Sequence, residues 1–119
     1  MLCATVLDAP DPRALAAFYQ KLFGWPVVQD EPEWVTLRPP GGGPGLSFQL
    51  EELYERPTWP SEETRQQMQL HLDIEVEDLD GAVAYALDAG AALADFQPQE
   101  HVRVLLDPAG HPFCFFVNG

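Results

Sequence analysis

The chain has 119 residues, with nineteen acidic and six basic side chains and a formal net charge of −13, a balance that repels phosphate backbones and anionic lipid surfaces and argues against nucleic-acid and membrane partners. One domain with a single hydrophobic core suits that length, and no apolar run approaches the roughly twenty residues of a membrane span. The N-terminus has no basic stretch ahead of an apolar one, and Cys3 and Cys114 both lie in apolar, strand-like segments, so a cytoplasmic protein with reduced thiols is expected.

A first strand is predicted over residues 2–8. Pro10 and Pro12 bracket Asp11, a good N-cap with proline at the first helical position. The helix should run to about Phe23, with Leu15, Phe18, Tyr19 and Leu22 on one face and Gly24 as its stop. Short strands are predicted over 25–29 and 34–38, then a turn or loop through the proline- and glycine-rich 39–45, then an alternating strand over 46–51. Residues 52–67 form a polar, proline-broken linker that nevertheless holds Tyr54 and Trp59. A segment of this length is either functional or disordered, and two large aromatics argue against disorder.

Beyond the linker, Met68, Leu70, Leu72, Ile74 and Val76 alternate with Gln69, His71, Asp73, Glu75 and Glu77, the pattern of a strand with one packed face. Asp78 caps a helix to about Ala89 that Gly90 stops. Strands are predicted over 91–97, 101–106 and 113–117, the last two joined by the turn Asp107-Pro108-Ala109-Gly110. The order β-α-β-β-β is thus written twice. The helix-opening Asp11 and Asp78 stand 67 residues apart, and the expected organisation is module one at 1–51, linker 52–67 and module two at 68–119.

Laid out in this way, the chain resembles the vicinal oxygen chelate superfamily, which includes glyoxalases, extradiol dioxygenases, fosfomycin-modifying enzymes and bleomycin-resistance proteins. The resemblance spans the whole chain. It is carried by Asp11-Pro12-Arg13-Ala14-Leu15-Ala16-Ala17-Phe18-Tyr19 followed by Leu22-Phe23-Gly24-Trp25, by His71 to Asp80, and by Asp107-Pro108-Ala109-Gly110-His111-Pro112-Phe113. It implies an α+β fold of two βαβββ modules forming an open, cup-shaped mixed sheet with helices on the outer face.

Metal-dependent members of that superfamily hold a divalent cation with ligands on the first and fourth strands of each module, where it polarises two adjacent substrate oxygens. The family's second-module histidine stands seven residues before the helix-capping aspartate, and His71 stands seven before Asp78. The first-module counterpart, seven before Asp11, is Ala4. The last-strand carboxylate position, four after the turn glycine, is Cys114, and its first-module match is Gln49. Only His71 and Gln49 remain as first-choice ligands if a divalent metal is bound, so no complete metal site and no cofactor are expected.

The resemblance and the residues together point to a glyoxalase-like protein binding a small organic molecule through His71, Gln49, Cys114, Arg103, Trp34 and Trp59. Arg103 is expected to face the cup from the third strand of module two, with Trp34 as its first-module partner, suiting a planar or carboxylate-bearing ligand. An edge-strand charge that discourages aggregation is the ordinary alternative for Arg103. His71 reads equally as a satisfied histidine at the cup floor and as a functional one. Flanked by Phe113, Phe115 and Phe116, Cys114 reads first as a buried packing residue. His111 is expected to be exposed, and Asp73 and Glu75 to be either solvated or selective for a cation. Trp59 and Tyr54 would form a lid or plug a crevice.

The acidity fits the superfamily's resistance-type members, which sequester a cationic drug as acidic dimers. A homodimer is expected because an open cup leaves strand edges to cover. A divalent-metal-dependent lyase, isomerase or dioxygenase is the competing class, and an interaction module without a ligand is the third.

Overall fold

The element order repeats as the sequence predicts. In the computed structural model, which describes residues 1–118, the first copy is β1 (Ala4–Ala9), α1 (Pro12–Phe23), β2 (Val27–Glu31), β3 (Trp34–Leu37) and β4 (Gly45–Leu50). The second is β5 (Leu72–Glu75), α2 (Leu79–Ala89), β6 (Ala92–Leu93), β7 (Val102–Leu106) and β8 (Pro112–Phe116). The protein is therefore α+β, with each copy building its own four-stranded mixed sheet, in the orders β1-β4-β3-β2 and β5-β8-β7-β6. The chain divides into two compact units, Met1–Tyr54 and Glu55–Gly119. Most of the linker thus belongs to the second unit, where Thr58 forms a bridge with Gln67.

In the first unit the last strand inserts beside the first. β4 runs parallel to β1 and antiparallel to β3, because a parallel pair needs a long crossover, supplied by α1 and the β2–β3 hairpin. Asp11 accepts a hydrogen bond from the Ala14 N–H at 3.2 Å, and Gly24 ends the helix in the left-handed region at φ 72°, where glycine carries no Cβ penalty. The apolar face of α1 lies against β3 and β4. Tyr19, fully buried, stacks on Phe48 with ring centres 5.7 Å apart and meets Phe18 edge-on at 4.9 Å.

The second unit is the same design with looser execution. The carboxylate of Asp78 makes no capping hydrogen bond, contrary to the expectation from sequence; only its carbonyl receives the Ala82 N–H, at 2.9 Å. Ala86 is the one fully buried residue of α2, while Tyr85 and Leu87 are exposed. β5 is shorter than its alternating pattern suggests. Its partner β8 begins at Pro112, which has no N–H with which to extend the ladder.

The predicted strand over 91–97 shrinks to Ala92–Leu93 for a different reason. The side chain of Gln97 replaces a strand peptide: its amide donates to the Val104 carbonyl at 2.9 Å and its oxygen accepts from the Val104 N–H at 2.9 Å. Between β7 and β8, the buried carboxylate of Asp107 closes the turn by accepting the N–H groups of Ala109 and His111 at 2.9 and 3.0 Å. Gly110 adopts φ 90°, and Arg56 lies over it, donating to the Pro108 carbonyl at 3.0 Å. His111 is half-buried, not exposed as expected.

These contrasts are measurable. Asp11→Ala should lower the free energy of unfolding in urea by about 1 kcal/mol, whereas Asp78→Ala should cost only the roughly 0.3 kcal/mol of a charge near a helix N-terminus. Asp107→Ala, which leaves two turn N–H groups without their acceptor, should cost about 2 kcal/mol or more by the same titration.

Candidate functional site

Strand register decides what the second unit presents. Parallel pairing of β5 with β8 sets Asp73 opposite Cys114, and antiparallel pairing of β8 with β7 sets Cys114 opposite Val104. Residues opposite one another share a face of the sheet, and alternation sends their neighbours to the other face. Leu72, Phe113 and Leu105 make one such row on the far face, and Ile74, Phe115 and Arg103 another. Phe113, Phe115 and Leu105 are fully or almost fully buried. Cys114 therefore points away from the core that its phenylalanine neighbours fill. It is half-buried, not a core packing residue as its flanking sequence suggests.

On this side of the sheet lies a cavity of about 420 Å³. Its polar floor is His71, Asp73 and Cys114, and its apolar walls include Trp59, Val104 and Phe116. Trp59 reaches the wall from the irregular segment after Glu55, held there because its indole N–H donates to the Phe96 carbonyl at 3.1 Å and its ring leans on the Phe96 ring. One ligand atom each from His71, Asp73 and Cys114 lie within 4.8 Å of one another. Burial pushes the Cys114 thiol above its ordinary range by desolvating the thiolate, and the adjacent Asp73 carboxylate adds to the effect by opposing a second negative charge.

Arg103 is placed differently. It shares a row with Phe115 and is not among the residues lining the cavity. Its guanidinium donates to the Glu100 and Val102 carbonyls at 2.9 and 2.8 Å, which fastens the turn leading into β7.

Trp34 and Gln49 belong to the first unit, opposite one another on β3 and β4. Gln49 donates to Asp8 at 3.2 Å. The indole N–H of Trp34 donates to the Thr36 hydroxyl at 2.9 Å, which in turn meets the Ser47 hydroxyl at 3.0 Å. These groups satisfy one another along the sheet. A hollow of about 580 Å³ on this face is lined by Ala4, Val6, Trp34, Thr36, Arg38 and Ser47.

Of the residues lining the second-unit cavity, only Trp59, His71 and Cys114 belong to the sequence-based site; the polar residues it left out are Asp73, Gln99 and His101. The alternating pattern already put Asp73 on the face of His71, but only the pairing of β5 with β8 places it against Cys114. His101 is expected to open the strand over 101–106, but β7 starts at Val102 and His101 lies in the turn before it.

The superfamily's metal centre can be tested against this donor set. The corresponding positions are Ala4, Gln49, His71 and Cys114; Ala4 offers no donor atom, and Cys114 puts a thiol where a carboxylate is expected. The residues do not fit that centre.

Two βαβββ units, each with its parallel outer pair and its helix on the apolar face, define a protein of the vicinal oxygen chelate superfamily. More narrowly, a family model for the glyoxalase-like domain matches residues 4–116, and the chain belongs to that family. Among solved structures, it is similar to a glyoxalase/bleomycin resistance protein/dioxygenase family enzyme from Burkholderia phytofirmans, at 23% identity and a TM-score of 0.72 over 96% of this chain and 95% of that one. A glyoxalase-related enzyme from Fulvimarina pelagi matches at 22% identity and a TM-score of 0.72, covering 99% and 88%. Lactoylglutathione lyase from Agrobacterium tumefaciens matches at 19% identity and 0.65, covering 99% and 93%. A search of curated protein sequences finds no match.

The state of the Cys114 thiol gives a direct check. In a Cys3→Ser background, where Cys114 is the sole thiol, alkylation by iodoacetamide near neutral pH should be slower than for a free thiol and should accelerate as pH rises. Asp73→Asn should speed it, since the neighbouring negative charge is removed. A rate unaffected by Asp73→Asn would show that the two groups do not interact.

Proposed function

We propose that this protein binds a small organic molecule of cationic, partly aromatic character in the second-unit cavity, as a sequestering member of its family that lacks the superfamily's four-position metal centre. The observation that carries the reading is the lining of that cavity: an indole and aliphatic walls around a floor whose one carboxylate is Asp73. An aromatic face with a nearby carboxylate attracts an organic cation through the ring quadrupole and through charge, while the walls bury its apolar body. The net charge of −13 supports the same preference by raising the local concentration of cations. The names of the similar structures range from resistance protein to lyase, so the fold leaves the choice open, and the loss of the family's four-position metal set favours binding.

The functional unit is proposed to be a cytoplasmic homodimer. Among the described residues no helix is long and apolar enough to cross a membrane. β1 and β2 pair on one side only, and Val6, Val27 and Val28 on them are exposed, a combination that proteins ordinarily cover.

A thermal-denaturation screen in the presence of chelator, using organic cations, neutral aromatics and organic anions, tests the binding reading. A cation at a hundred times its dissociation constant should stabilise the protein by about 2.7 kcal/mol, and both Trp59→Ala and Asp73→Asn should weaken that binding about tenfold. Stabilisation by anions alone, or by no compound, overturns the reading. Sedimentation at micromolar concentration should show a species of twice the chain mass; a single-chain species overturns the dimer.

A further inference from the structure

We infer that His71, Asp73 and Cys114 form a three-donor site for one thiophilic divalent cation of the zinc type, built wholly within the second unit. This differs from the ligand set expected from the superfamily, which draws on both modules and has no place for Asp73. The convergence follows from the backbone. His71 and Asp73 are two residues apart, so they share a face as β5 begins, and Cys114 lies directly across from Asp73 on the neighbouring strand, about 4.8 Å away in a sheet. Their ligand atoms lie within 4.8 Å of one another. Around a tetrahedral zinc ion with ordinary bond lengths the same atoms would be about 3.4–3.6 Å apart. The remaining ångström or so is within reach of rotamer changes in His71 and Asp73, whose residues are exposed.

The donor chemistry selects the ion. A thiolate and a carboxylate neutralise a divalent charge, and a sulfur–imidazole–carboxylate set suits zinc and its neighbours rather than magnesium, which demands six oxygens in near-ideal octahedral geometry. Three protein ligands leave a fourth position for water or a small molecule. In this unit the position would face the cavity, whose apolar walls limit competition from bulk water.

The metal site does not require the organic ligand proposed above. The two experiments separate them, because the screen above is run in chelator and the metal titration is run without any organic compound. Metal-free protein is titrated with Zn²⁺ by calorimetry and with Co²⁺ by absorbance. One equivalent per chain should bind, and Co²⁺ should give the near-ultraviolet charge-transfer band of a cobalt–thiolate bond. Cys3→Ser should retain the band and Cys114→Ser should abolish it. Asp73→Asn and His71→Ala should each weaken Zn²⁺ at least tenfold, no less than the loss of an outer-shell partner costs. Asp73→Asn alters an exposed side chain and should keep the circular-dichroism spectrum of the parent, so it decides the matter even if Cys114→Ser fails to fold. Failure to bind one equivalent of Zn²⁺, a band that follows Cys3, Zn²⁺ affinity indifferent to Asp73→Asn, or equal affinity for Mg²⁺ overturns the inference.

Discussion

The register of β8 against β5 is the constraint on which the second unit depends. With Asp73 opposite Cys114 and Ile74 opposite Phe115, every hydrophobic side chain of β8 that the core needs points one way and every polar group that the cavity uses points the other. A slip of one residue would exchange the two sets, because the side-chain period of a strand is two. Phe113 and Phe115, buried to 0% and 2% exposure, hold the register by about 1.5–3 kcal/mol each. The cavity floor is thus positioned by residues that never touch it.

The two copies of the supersecondary unit have spent this common geometry differently. In the first, α1 buries five of its residues, and the polar face of its sheet is closed by bonds among Trp34, Thr36 and Ser47 and between Gln49 and Asp8. In the second, the helix buries one residue fully, and the polar face presents an imidazole, a carboxylate and a thiol side by side. Packing order and chemical availability are divided between the copies.

Much of the fold was legible in the sequence because its punctuation is local. Asp11, Pro12, Gly24, Gly90 and the Asp107–Gly110 turn mark ends that depend on neighbouring residues alone. The superfamily resemblance, counted from those marks, also drew notice to His71 and Cys114. What depends on pairing was less accessible. The face of Arg103 was ambiguous because β7 is apolar on both sides, with Val102 and Val104 toward the cavity and Leu105 toward the core, so alternation could not say which side was which. The importance of Asp73 followed from its neighbour on another strand. The short β6 was hidden for a similar reason, since nothing in residues 91–97 announces that the Gln97 side chain will stand in for a peptide.

That substitution of side chain for backbone has a consequence for how such a protein can diversify. The loop after β6, which supplies Pro98, Gln99 and His101 to the cavity, is moored to β7 by side chains, the Gln97 amide at its start and the Arg103 guanidinium at its end, instead of a continuous ladder. The side chains of Pro98 and Gln99, between those two moorings, can be exchanged without removing a ladder bond between β7 and β8. The shape and chemistry of one wall can therefore drift while the floor, fixed by strand pairing, stays the same.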